Sequence, residues 1–284
     1  MAVRLEMPVR IVQSKQNARL KELRRALSRP GQGERGLAGI EGLNLLHEAL
    51  RASLRVACVF VAHEARNPLE GLALPPATEV LLVPRMLLNS ALDTESPQPV
   101  AALVEPPDWT WAHMLKAQDK SSALVVLLAG IQDPGNLGTI LRSAEAFGAN
   151  GVVSLPGTVS CWNPKAVRAS AGSVFRLPVL EMAAEECFGG LREAGVRIFT
   201  TDVDGTHAAD RMNLAGPVAF LIGNEGNGVP EELAAQADGA ITVPCPGPVE
   251  SLNAAVAASV LLYETSRQRR AGGEGPRDLR GSTR

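Results

Sequence analysis

From residue 123 onward the chain alternates short apolar, β-favouring runs with stretches of helical spacing, and this alternation restricts the fold more than any other feature. Ala123–Ala129, Gly151–Leu155, Val196–Thr201, Val218–Ile222 and Ala240–Val243 read as strands. Leu137–Phe147, a segment around Pro164–Ala171, Ala183–Ala194 and Leu252–Arg267 read as helices. Strands this uniformly apolar leave no face for water, so they predict a mostly parallel sheet covered by helices on both sides. Ligands of such sheets gather in crevices beyond the carboxyl ends of the strands.

The first half alternates less regularly. Ser14–Leu27 has Ala18, Leu20, Leu23, Ala26 and Leu27 at near-helical spacing with basic residues between them, the pattern of a basic amphipathic helix. The Pro30-Gly31-Gln32-Gly33 break follows. Strand Gly36–Gly42, helix Leu43–Leu50 and strands Arg55–Ala62, Val80–Val83 and Val100–Glu105 then suggest a smaller α/β domain. Pro106-Pro107 and the polar stretch through Ser122 read as a joint, with a boundary near residue 118. The expected organisation is a basic N-terminal helix and hinge over 1–33, an α/β domain with linker over 34–118, the regular α/β domain over 119–268, and a disordered basic tail over 269–284.

A net charge of −2 in 284 residues gives no overall signature of nucleic-acid binding, so any such contact must come from local patches. One patch lies between Arg4 and Arg35, where Arg10, Lys15, Arg19, Lys21, Arg24, Arg25 and Arg29 outnumber Glu6, Glu22 and Glu34. The tail from Arg267, with Arg269, Arg270, Arg277, Arg280 and Arg284, is the other. Clustered cations hold phosphates by releasing their counterions. Cys58, Cys161, Cys187 and Cys245 form no CxxC pair and no signal-peptide core precedes them, which suits a reducing cytoplasm. His47, His63, His113 and His207 lack metal spacing, so no metal site is expected. Apolar runs such as Leu124–Ala129 are too short to span a bilayer.

Three segments carry chemistry. Gln132-Asp133-Pro134-Gly135-Asn136-Leu137-Gly138-Thr139-Ile140-Leu141-Arg142 joins a strand to a helix whose first N–H groups favour an anion. It has neither the third glycine of a dinucleotide fingerprint nor a following GK[ST]. Asn136 and Arg142 fall on adjoining turns, one placed to cap and the other to reach a ligand. The second segment is Ile222-Gly223-Asn224-Glu225-Gly226-Asn227-Gly228-Val229-Pro230, whose three glycines allow a bent loop and close approach of a ligand. Val243-Pro244-Cys245-Pro246-Gly247-Pro248-Val249-Glu250-Ser251-Leu252-Asn253 leads into the last helix, and by itself it offers Glu250 or Ser251 as an ordinary helix cap.

In order and spacing, these segments together resemble the SpoU (TrmH-type) family of the SPOUT superfamily of knotted RNA methyltransferases, over roughly residues 121–266. The intervening Asn163-Pro164-Lys165-Ala166-Val167-Arg168-Ala169-Ser170-Ala171-Gly172 stretch is typical of these enzymes. Ser14-Lys15-Gln16-Asn17 and the run from Ile40-Glu41-Gly42 to Glu48-Ala49-Leu50 resemble their substrate-binding domain.

The resemblance implies a C-terminal trefoil-knot domain behind a smaller α/β RNA-binding domain, and a homodimer that completes each active site, built on the apolar faces of the last helix and of the helix after Asn136. It implies methylation of a ribose 2′-hydroxyl from S-adenosylmethionine. Asn136, Arg142, Glu225, Ser251 and Asn253 are the implied catalytic set. Gly223, Val243 and Leu252 would line the cofactor pocket, with Thr200 and Thr201 at its edge, and Lys15, Arg19, Arg24, Lys165 and Arg168 would hold RNA. A guanidinium keeps its proton too firmly to be a simple base, so Arg142 is expected to bind a phosphate or the developing alkoxide electrostatically. The chain departs from the family pattern at Cys161-Trp162 and at Cys245-Pro246-Gly247-Pro248.

The α/β domain before residue 118 resembles the RNA-loop-binding domains of the family's rRNA-directed members, which implies large-subunit ribosomal RNA rather than transfer RNA, whose modifying relatives more often carry short helical extensions. A non-catalytic RNA-binding scaffold would have little need of Arg142, Glu225, Ser251 and Asn253 together. The missing GxGxxG counts against a nicotinamide-dependent oxidoreductase.

Overall fold

A computed structural model describes residues 9–28, 36–65, 69–92, 94–115 and 123–272. The hinge at 30–33, the boundary near 118 and the tail from 273 lie outside them. Contacts divide the chain into two units, residues 1–108 with 160–176, and residues 109–159 with 177–284.

The first unit is built on five strands. In chain order its elements are β1 (Val9–Ile11), α1 (Ala18–Ser28), β2 (Ala38–Glu41), α2 (Leu43–Arg51), β3 (Val56–Ala62), β4 (Glu79–Val83), α3 (Arg85–Asn89) and β5 (Val100–Val104). The sheet order is β1-β4-β3-β5-β2. β4 runs parallel to β1 and β3, while β5 runs antiparallel to β3 and β2. Alternate residues Cys58, Phe60 and Ala62, with Leu81 and Leu103, turn to one face and bury Leu20, Leu23 and Leu27 of α1 and Leu88 of α3. Helix α1 starts at Ala18 rather than Ser14, because Asn17 Oδ1 accepts the Leu20 N–H at 3.2 Å and ends the preceding turn.

Residues 160–176 belong to this unit, whereas their sequence position suggested the 119–268 domain. The reason is a set of pairings between distant parts of the chain. Arg176 Nη1 lies 2.6 Å from Glu48 Oε2, and Arg168 Nη1 lies 3.8 Å from Glu41 Oε2. Helix α6, Pro164–Ala169, packs against β2. Gly172, at φ 86°, comes so near α2 that an added Cβ would sit 2.7 Å from Glu48 Cβ.

The second unit begins with α4 (Trp111–Met114), β6 (Leu124–Ala129), α5 (Pro134–Ala146) and β7 (Gly151–Ser154). After residue 176 come β8 (Val179–Glu181), α7 (Ala184–Glu193), β9 (Arg197–Thr201), β10 (His207–Ala208), β11 (Val218–Gly223), α8 (Glu231–Ala234), β12 (Gly239–Thr242) and α9 (Ala254–Ala271). The order is β10-β12-β9-β11-β6-β7-β8, with every named pairing parallel. Val125, Leu127, Val153, Ile198 and Leu221 face Phe188 and Leu191 of α7. α5 and α9 pack against each other, α9 also against β11 and α5 against β7. The strands therefore read as continuous apolar runs because both faces are covered.

Candidate functional site

Parallel register places the carboxyl ends of β6 and β11 side by side, Gly223 opposite Ala129, with Leu221 of β11 opposite Thr200 of β9. The turns leaving these strands therefore emerge together. After β6, Asp133 caps α5 by accepting the Asn136 N–H at 2.9 Å. The cap is Asp133, not Asn136, which leaves the Asn136 amide available for other partners.

After β11, the chain folds back at once. Asn224 and Gly228 exchange backbone hydrogen bonds, each 2.9 Å. The Asn224 side chain organises the turn. Its Nδ2 donates to Gly130 O at 2.8 Å, and its Oδ1 accepts the N–H groups of Gly226 at 2.9 Å and Asn227 at 3.3 Å. So tight is the return that a Cβ on Gly223 would fall 2.2 Å from the carbonyl carbon of Gly228. Asn224 was not among the expected site residues, although an Asn two residues before a Gly after a strand is a turn signal.

Asn253 caps α9, a role that neither Glu250 nor Ser251 takes, and the helix starts at Ala254 rather than Leu252. The chain between β12 and α9 takes no helical turn at Glu250 or Ser251, so the cap falls to Asn253. Asn253 Oδ1 accepts from the Ala255 and Val256 N–H groups at 2.9 and 3.3 Å. With its oxygen so occupied, its Nδ2 donates to Asn136 Oδ1 at 3.1 Å. The Asn136 Nδ2 is thereby turned to Glu225 Oε1, 2.6 Å away. One helix cap thus fixes the orientation of two amides and a carboxylate drawn from all three segments.

Beside this chain of bonds lies a cleft of about 670 Å³ at the ends of β9, β11 and β12. Thr200, Thr201, Gly223, Val243 and Leu252 all line it, as do Glu225 and Ser251. The Thr201 hydroxyl donates to Leu221 O at 3.1 Å. The Thr200 Oγ1 is buried and has no hydrogen-bond partner among the described residues. Cys245 of the third segment, and Asp202, Ala257 and Leu261, which the sequence did not single out, complete polar and apolar stretches of the wall.

Arg142 is not in that wall. It is exposed on α5, with no hydrogen bond or ion pair among the described residues, and six residues of helix turn it well away from Asn136. The basic residues differ in their surroundings. Arg19 is bound at 2.8 Å to Glu22 and at 2.9 Å to Glu79, and these carboxylates, Glu22 foremost, raise its already high pKa against the opposing effect of burial. Arg24 reaches Ser90 Oγ at 3.5 Å, and Lys15 is exposed. No group of three His, Cys, Asp or Glu side chains among the described residues has the geometry of a metal site. No described helix is long and apolar enough to cross a membrane.

A model of the SpoU rRNA Methylase family matches residues 123–263. The chain is also 30% identical over 252 residues to the 23S rRNA (guanosine(2553)-2′-O)-methyltransferase RlmP of Bacillus subtilis, covering 89% of this chain and 97% of that one. The chain belongs to the SpoU methylase family. Residues 17–102 match a second model, the MRM3-like substrate binding domain, and lie in the first unit. Among solved SpoU structures, AviRb of Streptomyces viridochromogenes in complex with AdoMet is similar at TM-score 0.78 and 28% identity, over 90% of this chain and 99% of that one. An AdoMet-bound rRNA methyltransferase of Sinorhizobium meliloti gives TM-score 0.77 and 28% identity over 91% and 98%.

Proposed function

We propose that this protein transfers a methyl group from S-adenosylmethionine to a ribose 2′-hydroxyl of RNA, with large-subunit ribosomal RNA as the substrate. The observation that carries this reading is the bond chain Asn253–Asn136–Glu225 at the edge of a cleft lined by Thr200, Gly223 and Leu252. The cleft fits the cofactor chemically. Its wall offers apolar surface for an adenine, and the unpartnered Thr200 hydroxyl offers a hydrogen bond to a polar group. When bound, S-adenosylmethionine supplies a methyl group on a sulfonium, open to in-line attack.

The chain's own residues then have distinct tasks. Gly223, Val243 and Leu252 hold the cofactor largely through backbone groups, with Thr200 and Thr201 at the rim. Asn136 and Asn253 keep the Glu225 carboxylate in one orientation, and Ser251 stands on the cleft wall where a ribose can meet it. Arg142 stabilises charge on the sugar or on a neighbouring phosphate, as a donor and not as a proton acceptor. Lys15, Arg19, Arg24, Lys165 and Arg168 supply phosphate contacts, with part of the Arg19 charge already engaged by Glu22 and Glu79.

Since Arg142 faces away from its own cleft, the reading includes a homodimer in which Arg142 serves the partner's site. Val256, Val260 and Tyr263 support it, forming an exposed stripe at helical spacing on α9, and Ser143 next to Arg142 bonds Ser259 of that helix at 2.7 Å. The reading also includes a trefoil knot, in which the chain around Ser251–Asn253 threads a preceding loop, and places the protein in the cytoplasm. Ribosomal RNA is preferred to transfer RNA for two reasons, the match of the first unit to a substrate-binding domain and the relative that acts on 23S rRNA.

The test is methylation of separate ribosomal and transfer RNA pools with labelled cofactor, followed by alkaline cleavage to find protected 2′-positions. Label confined to one protected site in large-subunit RNA is the expected result. Label in transfer RNA alone overturns the substrate, and cofactor binding without transfer to any RNA overturns the enzyme in favour of a scaffold.

A further inference from the structure

Trp162 lies in the segment 160–176, one residue before the Asn163 cap of α6. Its ring stacks on Phe175, with centroids 5.9 Å apart and planes inclined by 24°. Phe175 is 2% exposed, so it forms a buried floor under one face of the indole, yet Trp162 itself keeps part of its surface in solvent.

Two cations follow within two turns. Lys165 and Arg168 are both exposed and spaced three residues apart on α6, hence neighbours on one side of the helix. Arg168 approaches Glu41 at 3.8 Å, too far for a hydrogen bond, and 41% of its side chain is exposed. An aromatic ring with a buried backing, followed three and six residues later by exposed cations, has the chemistry that holds an unpaired nucleotide, base on the ring and phosphate on the cations.

We propose that Trp162, Lys165 and Arg168 form a subsite for one unpaired nucleotide of the substrate RNA, with its base stacked on the Trp162 indole. This subsite rests on the reading of the protein as an RNA methyltransferase, and it selects RNA whose bases are free of a helix. Trp162 is a positioning residue; it takes no part in methyl transfer. A purely structural tryptophan would be replaced well by another apolar side chain of similar reach, whereas a stacking platform needs a π face.

The test compares Trp162→Phe, Trp162→Leu and Trp162→Ala with the parent, each checked for parental melting temperature and cofactor affinity. Loss of the ring should raise KM for RNA roughly 5- to 100-fold in the Leu and Ala variants, with kcat little changed and the Phe variant close to the parent. Lys165→Gln with Arg168→Gln should reduce the salt dependence of RNA binding by about two cations. Because the Ala variant can lose its fold, the parent is also labelled with fluorotryptophan. Of the three tryptophans, only the Trp162 resonance should shift when an unpaired oligoribonucleotide is added. Parental KM in folded Leu and Ala variants, or a Trp162 resonance indifferent to RNA, overturns the subsite while leaving the enzyme intact. A shifted Trp162 resonance in a protein that methylates no RNA overturns the enzyme and keeps the subsite.

Discussion

Asn253 performs two tasks that substitution can separate. Its Oδ1 caps α9 through Ala255 and Val256, and its Nδ2 holds Asn136, which in turn holds Glu225. Asn253→Ala removes both, and loss of a side-chain cap costs about 1 kcal/mol. In a domain of this size that corresponds to a fall of about 2–4 °C in melting temperature. Asn253→Asp retains an acceptor for the cap, and a carboxylate at a helix N-terminus is favoured by the helix dipole, so its melting temperature should equal or exceed the parent's. The Asp variant nevertheless lacks the donor that orients Asn136. The Asn136 amide is then drawn to turn its NH₂ toward residue 253, which presents its oxygen to Glu225. A hydrogen bond to a charged group is worth about 1.5–3 kcal/mol, so kcat/KM should fall roughly tenfold to a hundredfold in both variants. Melting curves and methylation kinetics on the same preparations decide the matter. An Asp variant that methylates at the parental rate refutes the orienting role, and one that melts as low as the Ala variant refutes the capping role.

Gly223→Ala should abolish measurable cofactor binding by calorimetry, because its Cβ would stand 2.2 Å from the backbone of Gly228 and force the loop out of the cleft. Glu41 is buried and accepts from Thr94 Oγ1 at 3.0 Å and from the Gln98 N–H at 2.8 Å, so Glu41→Ala should destabilise the first unit by about 2–4 kcal/mol in a denaturant titration. The Glu264 carboxyl is held below its ordinary pKa of 4.5 chiefly by hydrogen bonds from Arg267, with burial opposing and Gln268 assisting. Its contribution is therefore complete above that value and lost as pH falls through the lower, folded one. Glu264→Gln should melt below the parent at pH 7, and the gap should close on acidification.

The second unit's layers were readable because strands buried on both faces are apolar throughout, and the helices between them keep a regular period. β1, β8 and β10 were not, since Val9–Ile11, Val179–Glu181 and His207–Ala208 are two or three residues long and little buried. Such strands carry no periodic signal. The placement of residues 160–176 depends on Arg176 meeting Glu48, a pairing across 128 positions that no local pattern announces. In the site, the resemblance to the family implied Asn136, Glu225 and Asn253, but not that they bond to one another. Nor could they tell that Asp133 and Asn253 would take the caps, because capping depends on where the extended chain before each helix ends.

The central claim is that the second and third segments, with the end of β9, enclose one cofactor cleft, and Cys245 reports on it directly. Cys58, Cys161 and Cys187 are buried, while Cys245 is exposed and lines the cleft. Burial pushes the Cys187 thiol up to about 12 and the Cys58 thiol higher still, so both stay protonated and unreactive in the folded protein. Alkylation at Cys245, followed by mass spectrometry during a titration with S-adenosylmethionine, should slow in proportion to occupancy, with one cofactor bound per chain. A saturated protein whose Cys245 reacts at the unliganded rate, or a folded protein that binds no cofactor at all, would contradict the claim.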